Sequence, residues 1–186
     1  LGRALALKMS RAGVHLVLSA RNEDSLKALA AELPGPTTVA PCDVADDASV
    51  AAAAEKAGEI DGVAFLAGVY WPQPAQRWNA EQVVAMCDVN LTGCARVMGQ
   101  VVPAMVARDA GHIVITGSLS GFRGLPGAVG YGASKAAVMS LAETMHADLR
   151  KTGVEVQLIN PGFIRTRLTD KNDFTMPFIM EPDEAA

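Results

Sequence analysis

Short apolar, β-branched runs alternate along the chain with longer stretches whose apolar residues recur at helical spacing. Residues 2–12 read as a helix, with Ala4, Leu5 and Met9 on one stripe and Gly13 as its stop. Residues 14–19 form an apolar strand. Residues 23–33 follow as a helix with Leu26, Leu29, Ala30 and Leu33 on one face, broken by Pro34-Gly35-Pro36. A strand at residues 37–42 leads through Asp43-Val44 to an Ala-rich helix, capped by Asp46 or Asp47, that runs to about residue 57. Residues 60–66 are the next strand and residues 81–86 are helical. Residues 88–108 continue as a long helix containing Asn90. An Asn inside a helix is unfavourable by propensity, which points to a specific task such as holding a water or a backbone bend. Residues 113–116, Ile-Val-Ile-Thr, read as a strand buried on both faces; a Gly- and Ser-rich loop separates it from a helix that starts at Tyr131 and runs to about residue 151. The strand at residues 154–159 comes after Gly153.

This alternation predicts an α/β fold, a three-layer, doubly wound parallel sheet of the Rossmann type. A length of 186 residues, half of them hydrophobic and 19% charged, suits one globular domain spanning residues 1–186. The chain begins with Leu1 rather than Met, already inside a helical pattern, and stops at the opening of another. The domain is therefore expected to be incomplete at both ends. A net charge of −4 with scattered basic residues gives no electrostatic case for nucleic acid or an anionic membrane. No apolar run approaches the roughly 20 residues that span a bilayer, and no leader is recognisable, so a cytoplasmic protein is expected. Cys42, Cys87 and Cys94 lack C-x-x-C spacing and read as packing residues, with neither a disulfide framework nor a metal site.

Candidate chemistry gathers at the carboxyl ends of the strands, where open α/β folds bind ligands. Ser118 follows the 113–116 strand, and Tyr131 and Lys135 stand one helical turn apart, so phenol and ammonium share a face. Such a trio suits proton transfer to a carbonyl oxygen as hydride reaches its carbon: the ammonium lowers the phenol's pKa, and the serine hydroxyl holds the substrate oxygen. Arg21 follows the 14–19 strand with no acid beside it, which favours the 2′-phosphate of NADP(H) over the 2′-hydroxyl of NAD(H). Asp43 is either an adenine contact or a turn acid. Ala67-Gly68 ends a strand with minimal side chains that let a flat ring approach the backbone. The loop 70–78 carries two Trp, one Tyr and two Pro and reads as a pocket wall or a packed surface loop. The tail through residues 174–180 reads as a flap or as a core segment. Phe122, Leu125, Phe163, Leu168 and Met176 suggest an apolar wall for a lipophilic ketone or aldehyde.

In their order and spacing these residues resemble the short-chain dehydrogenases/reductases in their single-domain form. Leu1-Gly2 is similar to the end of the family's T-G-x-x-x-G-x-G turn, and Asp43-Val44 to its adenine-contacting pair. Asn90, Ser118, Tyr131 and Lys135 match its Asn-Ser-Tyr-Lys tetrad. Pro161, Gly162, Ile164 and Thr166 fall within its P-G-x-x-x-T segment at the nicotinamide. The resemblance implies a dinucleotide-binding and catalytic domain whose cofactor contacts are Gly2, Arg21, Asp43, Val44, Ala67, Gly68, Tyr131, Lys135 and that last segment. It implies that Tyr131 is the general acid in carbonyl reduction, that Lys135 lowers its pKa and bonds the nicotinamide ribose, and that Asn90 supports a proton relay. It also implies a homodimer or homotetramer acting on a small-molecule carbonyl or alcohol. Two departures stand out. The family's N-N-A-G is Phe65-Leu66-Ala67-Gly68 here. The first strand and most of its Gly-rich turn would lie ahead of Leu1, and without them the chain is expected to be poorly stable or inactive. The alternatives are an NAD(H)-dependent enzyme of the same type and a catalytically silent nucleotide sensor.

Overall fold

Alternation of strand and helix places every strand parallel to its neighbour in the computed structural model, which describes residues 1–186. Helix α1 (Gly2–Arg11) precedes β1 (Leu16–Leu18), α2 (Glu23–Glu32), β2 (Thr37–Val39), α3 (Asp47–Ala57) and β3 (Gly62–Phe65). Then come α4 (Ala80–Cys87), α5 (Gly93–Ala107), β4 (Gly111–Thr116), α6 (Val129–Leu149), β5 (Val154–Ile159) and the short α7 (Pro182–Ala185). The starts of three helices are set by side chains: Asn22, Asp46 and Asn79 each accept from the backbone N–H three residues on. β1, β2 and β3 are shorter than the apolar runs that announce them, β5 matches its run, and β4 starts two residues ahead of its own.

The strands pair as β1–β2 and as β3–β4–β5. β1 and β3 are not hydrogen-bonded to each other, so the expected parallel sheet is present as two parts. Each part has its own core. The larger gathers Phe65, Met98, Met105, Ile113, Ile115, Val138 and Ala142 between β3–β5 and helices α5 and α6. The smaller joins Ala6, Leu18, Leu26 and Leu33. Phe65, which stands where the resembling family has Asn, is an apolar member of the larger core, 4% exposed. Strand β4 is not buried equally on both faces as its composition predicts. Ile113 and Ile115 are fully buried, whereas His112 is exposed and Val114 half-buried, the alternation a pleat imposes when one face is less completely covered.

The loop leaving β4 lies directly on α6. A Cβ on Gly121 would stand 3.0 Å from the backbone N of Ala136 and from the backbone C of Lys135, and closer still to Met139 Sδ. Only a residue without a side chain permits this approach, and it brings the segment after Ser118 against the helix turn that carries Lys135. Gly121→Ala is expected to destabilise the full-length natural polypeptide by about 1–3 kcal/mol, because helix backbone cannot yield as a side chain does. A urea denaturation midpoint that falls with unchanged slope would show it.

Candidate active site

The long helix expected over residues 88–108 is interrupted where Asn90 stands. Residues Asp88–Thr92 form a π-helical turn between α4 and α5. Such turns bulge the helix and often serve functional sites. Here the bulge carries the Asn90 amide inward until the residue is fully buried. Its Oδ1 accepts from Val69 N at 2.8 Å, and its Nδ2 donates to Val69 O at 3.1 Å and to Ser134 Oγ at 3.0 Å. One side chain thus ties the loop after β3 to α6. Ser134 in turn donates to Tyr131 O at 2.9 Å, one turn back. Ser134 was not singled out in the sequence; its position directly before Lys135 on the inward face of α6 is the signal that could have found it.

Tyr131 and Lys135 do share a face. Lys135 is 4% exposed and its Nζ donates to Thr116 O, at the last residue of β4, at 2.8 Å. The same ammonium lies 5.8 Å from the centre of the Tyr131 ring. Gly68 closes the other side: a Cβ there would stand 3.3 Å from Asn90 Oδ1 and 3.9 Å from Lys135 Nζ. Ser118 is buried in extended conformation, caps the short turn after β4 by accepting from Ser120 N at 3.1 Å, and makes a polar contact with the Tyr131 phenol. The structure therefore brings Asn90, Ser118, Tyr131 and Lys135 together with Gly68 at the carboxyl ends of β3 and β4.

Burial dominates the electrostatics. It pushes the Lys135 ammonium down to about 8, with Cys94 beside it acting the other way. It pushes the Tyr131 phenol above its ordinary value, against the downward pull of the Ser118 hydroxyl, and the Tyr70 phenol adds to the rise. The lowered phenol expected from the sequence is thus not what the geometry produces. Lys135 Nζ is committed to Thr116 O rather than to the phenol oxygen, and desolvation of the ring outweighs it. Near neutral pH the phenol keeps its proton and the ammonium its charge. Cys94, fully buried, is pushed up to about 12 and stays a neutral thiol.

The other predicted residues line the same edge of the strands without meeting this cluster. Gly2 opens α1, where a Cβ would touch Leu66. Arg21 is exposed after β1. Asp43 acts as a turn acid, its Oδ1 accepting from Ala45 N at 3.0 Å, and Val44 packs tightly on Gly93 and gives its carbonyl to Arg96. Ala67 packs on the larger core. Pro161 O accepts from Leu119 N at 3.2 Å, which holds the loop after β5 beside the loop after β4, and Gly162 lies next to Leu119. Ile164 is buried and Thr166 half-buried in a turn built around the Thr169 hydroxyl, which Thr166 N and Ile164 O both engage. Asn160 opens the same loop. Its Oδ1 is buried without a hydrogen-bond donor and lies against Gly117. An orphaned acceptor at the carboxyl end of β5 and the bare Gly68 backbone beside Lys135 are features that a nicotinamide dinucleotide lying along this edge would fit.

No group of His, Cys, Asp and Glu is arranged to hold a metal ion, and no helix is long and apolar enough to cross a membrane. The family model described as short chain dehydrogenase matches residues 1–176. An uncharacterized oxidoreductase of Myxococcus xanthus is 41% identical over 192 residues, which cover 100% of this chain and 76% of the relative. Another from Staphylococcus epidermidis is 34% identical over 94% of this chain and 77% of its own length. Among solved structures, serine dehydrogenase from Escherichia coli superposes with a TM-score of 0.83 at 28% identity, covering 88% of this chain and 77% of that one. The closed form of serine dehydrogenase complexed with NADP+ gives a TM-score of 0.89 at 25% identity, over 99% and 81%.

The buried ammonium yields a prediction with a definite sign. In the folded protein Lys135 sits at about 8, below its ordinary 10.5, so between these two values the unfolded chain binds more protons and stability from this group rises with pH. Below about pH 8 the full penalty of burying the charge is present. Lys135→Met in the full-length polypeptide is expected to be more stable than the native protein at pH 7, the difference shrinking towards pH 10.5 by on the order of 3 kcal/mol at most. Urea unfolding of both proteins across that range checks it.

Proposed function

The chain belongs to the short chain dehydrogenase family and is an oxidoreductase of that family, and on that premise we propose that it interconverts a carbonyl and an alcohol with NADP(H) as the hydride carrier. The observation that carries this reading is the cluster of buried Ser118 and Lys135 with half-buried Tyr131, the ammonium seated at the end of β4 beside the phenol ring.

Gly2, Arg21, Asp43, Val44, Ala67, Gly68, Pro161, Gly162, Ile164 and Thr166 would hold the dinucleotide along the carboxyl edge of the strands. Bound there, it supplies a hydride to the carbonyl carbon or takes one from the alcohol. Ser118 holds the substrate oxygen by a hydrogen bond. Tyr131, kept protonated by its burial, donates the phenolic proton to that oxygen in reduction and takes it back in oxidation. The resulting phenolate faces the Lys135 ammonium. Their attraction offsets part of the cost of a phenolate in this desolvated setting. Asn90 keeps Gly68-Val69 and α6 in register around these groups.

Preference for NADP(H) rests on Arg21, which is exposed after β1 with Ala20 and Asn22 beside it. An Arg at that place can pair with a 2′-phosphate. The NADP+ complex of a similar structure points the same way. A homo-oligomer is proposed on the family membership.

The test follows nicotinamide oxidation by the full-length natural polypeptide against a panel of aliphatic and aromatic ketones and aldehydes. NADPH is expected to support turnover better than NADH, and Arg21→Asp to narrow or reverse that preference by about tenfold. Tyr131→Phe is expected to lower kcat by roughly a thousandfold while NADPH still binds, as fluorescence titration would show. Binding of NADPH without reduction of any carbonyl, or oxidation of any alcohol, would favour a nucleotide sensor instead.

A further inference from the structure

The loop after β3 does more than pass the catalytic cluster. The Tyr70 ring meets the Tyr131 ring edge to face, with centres 5.0 Å apart and planes at 64°. Its hydroxyl donates to Asn172 Oδ1 at 3.1 Å, across 102 positions of sequence. The Asn172 amide is oriented for this by its other end, where Nδ2 donates to Met176 Sδ at 3.3 Å. One residue earlier, Lys171 Nζ donates to Tyr70 O and stands 4.9 Å from the centre of the Trp71 ring. Side chains 171 and 172 thus clasp residues 70 and 71 from both sides.

These contacts join three parts of the fold. The 70–79 loop is itself anchored: Gln73 N donates to Gly127 O at 2.8 Å, and buried Gln73 accepts from Asn79 N through Oε1 at 2.7 Å. It is a fixed post. The segment it holds begins in the Thr166–Thr169 turn after β5, and within it Phe174 packs edge to face on Phe163 at 5.8 Å between centres. Through Asn172 this segment is tied to the ring that packs against half-buried Tyr131.

Resting on the reading of Tyr131 as general acid, we infer that Tyr70 is a positioning residue of the reaction: its hydroxyl latches the 169–176 segment through Asn172, and its ring sets the face of Tyr131 that the closed segment shields. The charged groups facing Tyr70 are Lys171 on its carbonyl and Asp173; burial, with Asp173 adding to it, holds the Tyr70 phenol above its ordinary value. Tyr70 therefore remains a hydrogen-bond donor through the neutral range and does not compete with Tyr131 as an acid. The latch is one neutral hydrogen bond, so it contributes a modest bias that substrate entry and product release can overcome.

The experiment compares the native full-length polypeptide with Tyr70→Phe, Asn172→Ala and the double variant, using NADPH and the carbonyl from the panel that it reduces fastest. Each single change is expected to raise KM about fivefold, more than it lowers kcat, and the double variant to match the singles, because each change removes the same bond. Trypsin cleavage after Lys171, followed by mass spectrometry, is expected to quicken about fivefold in the same three proteins, with unfolding midpoints unchanged. Tyr70→Leu, which also removes the ring, is expected to move the alkaline limb of kcat to lower pH as water reaches Tyr131. Native KM and native cleavage rates in both single variants, or effects that add in the double, would overturn the latch. Failure of the native protein to turn over any carbonyl would instead overturn the functional reading, while the cleavage rates would still decide the latch.

Discussion

Everything at this site depends on one amide that has been forced out of solvent. Asn90 makes three hydrogen bonds, two to the backbone of Val69 and one to Ser134, and all of its reach comes from the π-helical turn at Asp88–Thr92. A regular helix would carry the side chain along the helix surface; the bulge aims it inward. With both amide atoms satisfied the burial is affordable, and the loop after β3 is locked against α6. Gly68 then lies close against Asn90 Oδ1, where a Cβ would be crowded at 3.3 Å, and near Lys135 Nζ, and Tyr70, two residues on, meets Tyr131. Backbone placement on one side of the pocket follows from a helix defect on the other.

The cluster so assembled is not arranged for stability. A lysine 4% exposed, with one carbonyl as hydrogen-bond partner and no carboxylate to neutralise it, is held down to about 8 by the cost of its own charge. A phenol next to it is held up by the same desolvation. The two shifts have opposite signs on the pKa scale and one cause: burial disfavours whichever form is charged. A protonated phenol and a cation stand side by side, and under the proposed function moving the proton onto a substrate oxygen would turn an uncompensated ammonium into one half of an ion pair. Part of the cost of burying Lys135 would then be recovered only when the phenol has given up its proton, the differential stabilisation on which such catalysis would draw.

The strand and helix pattern was legible because each apolar run has a length and a period that few alternatives satisfy. The Tyr131 and Lys135 pair was legible because helical spacing puts positions four apart on one face, and Ser118 because it terminates an unmistakable strand. Physical pattern could say less about Asn90: propensity marked it as out of place, but a π-helical turn differs from an α-helical one by a single shifted hydrogen bond that no residue in Asp88–Thr92 announces. The depressed phenol was the wrong expectation for an equally physical reason. Sequence spacing shows that a cation is near; it does not show that the cation is already committed to Thr116 O, nor how little water remains. Tyr70 was legible only as part of a loop that could wall a pocket, and Ser134 not at all, because their partners, Asn172 and Asn90, are distant in sequence. The split between β1–β2 and β3–β4–β5 is likewise a matter of pairing, which composition does not encode.

Pairing at long range is also what separates the rigid from the adjustable parts of the pocket. The floor consists of strand ends and of α6, joined by ladder hydrogen bonds, by the Asn90 amide and by the contact of Gly121 with helix backbone. None of these can lengthen without exposing buried polar groups, so the floor moves as one body or not at all. The outer wall is held differently. Residues 169–176 touch the 70–71 loop through one hydroxyl, one ammonium and one ring face, each of which water can replace at small cost. The proposed reaction, with a dry phenol during proton transfer and an open path before and after it, would call for this division. The groups that set pKa values sit on the part that cannot give, and the group inferred to admit substrate sits on the part that can.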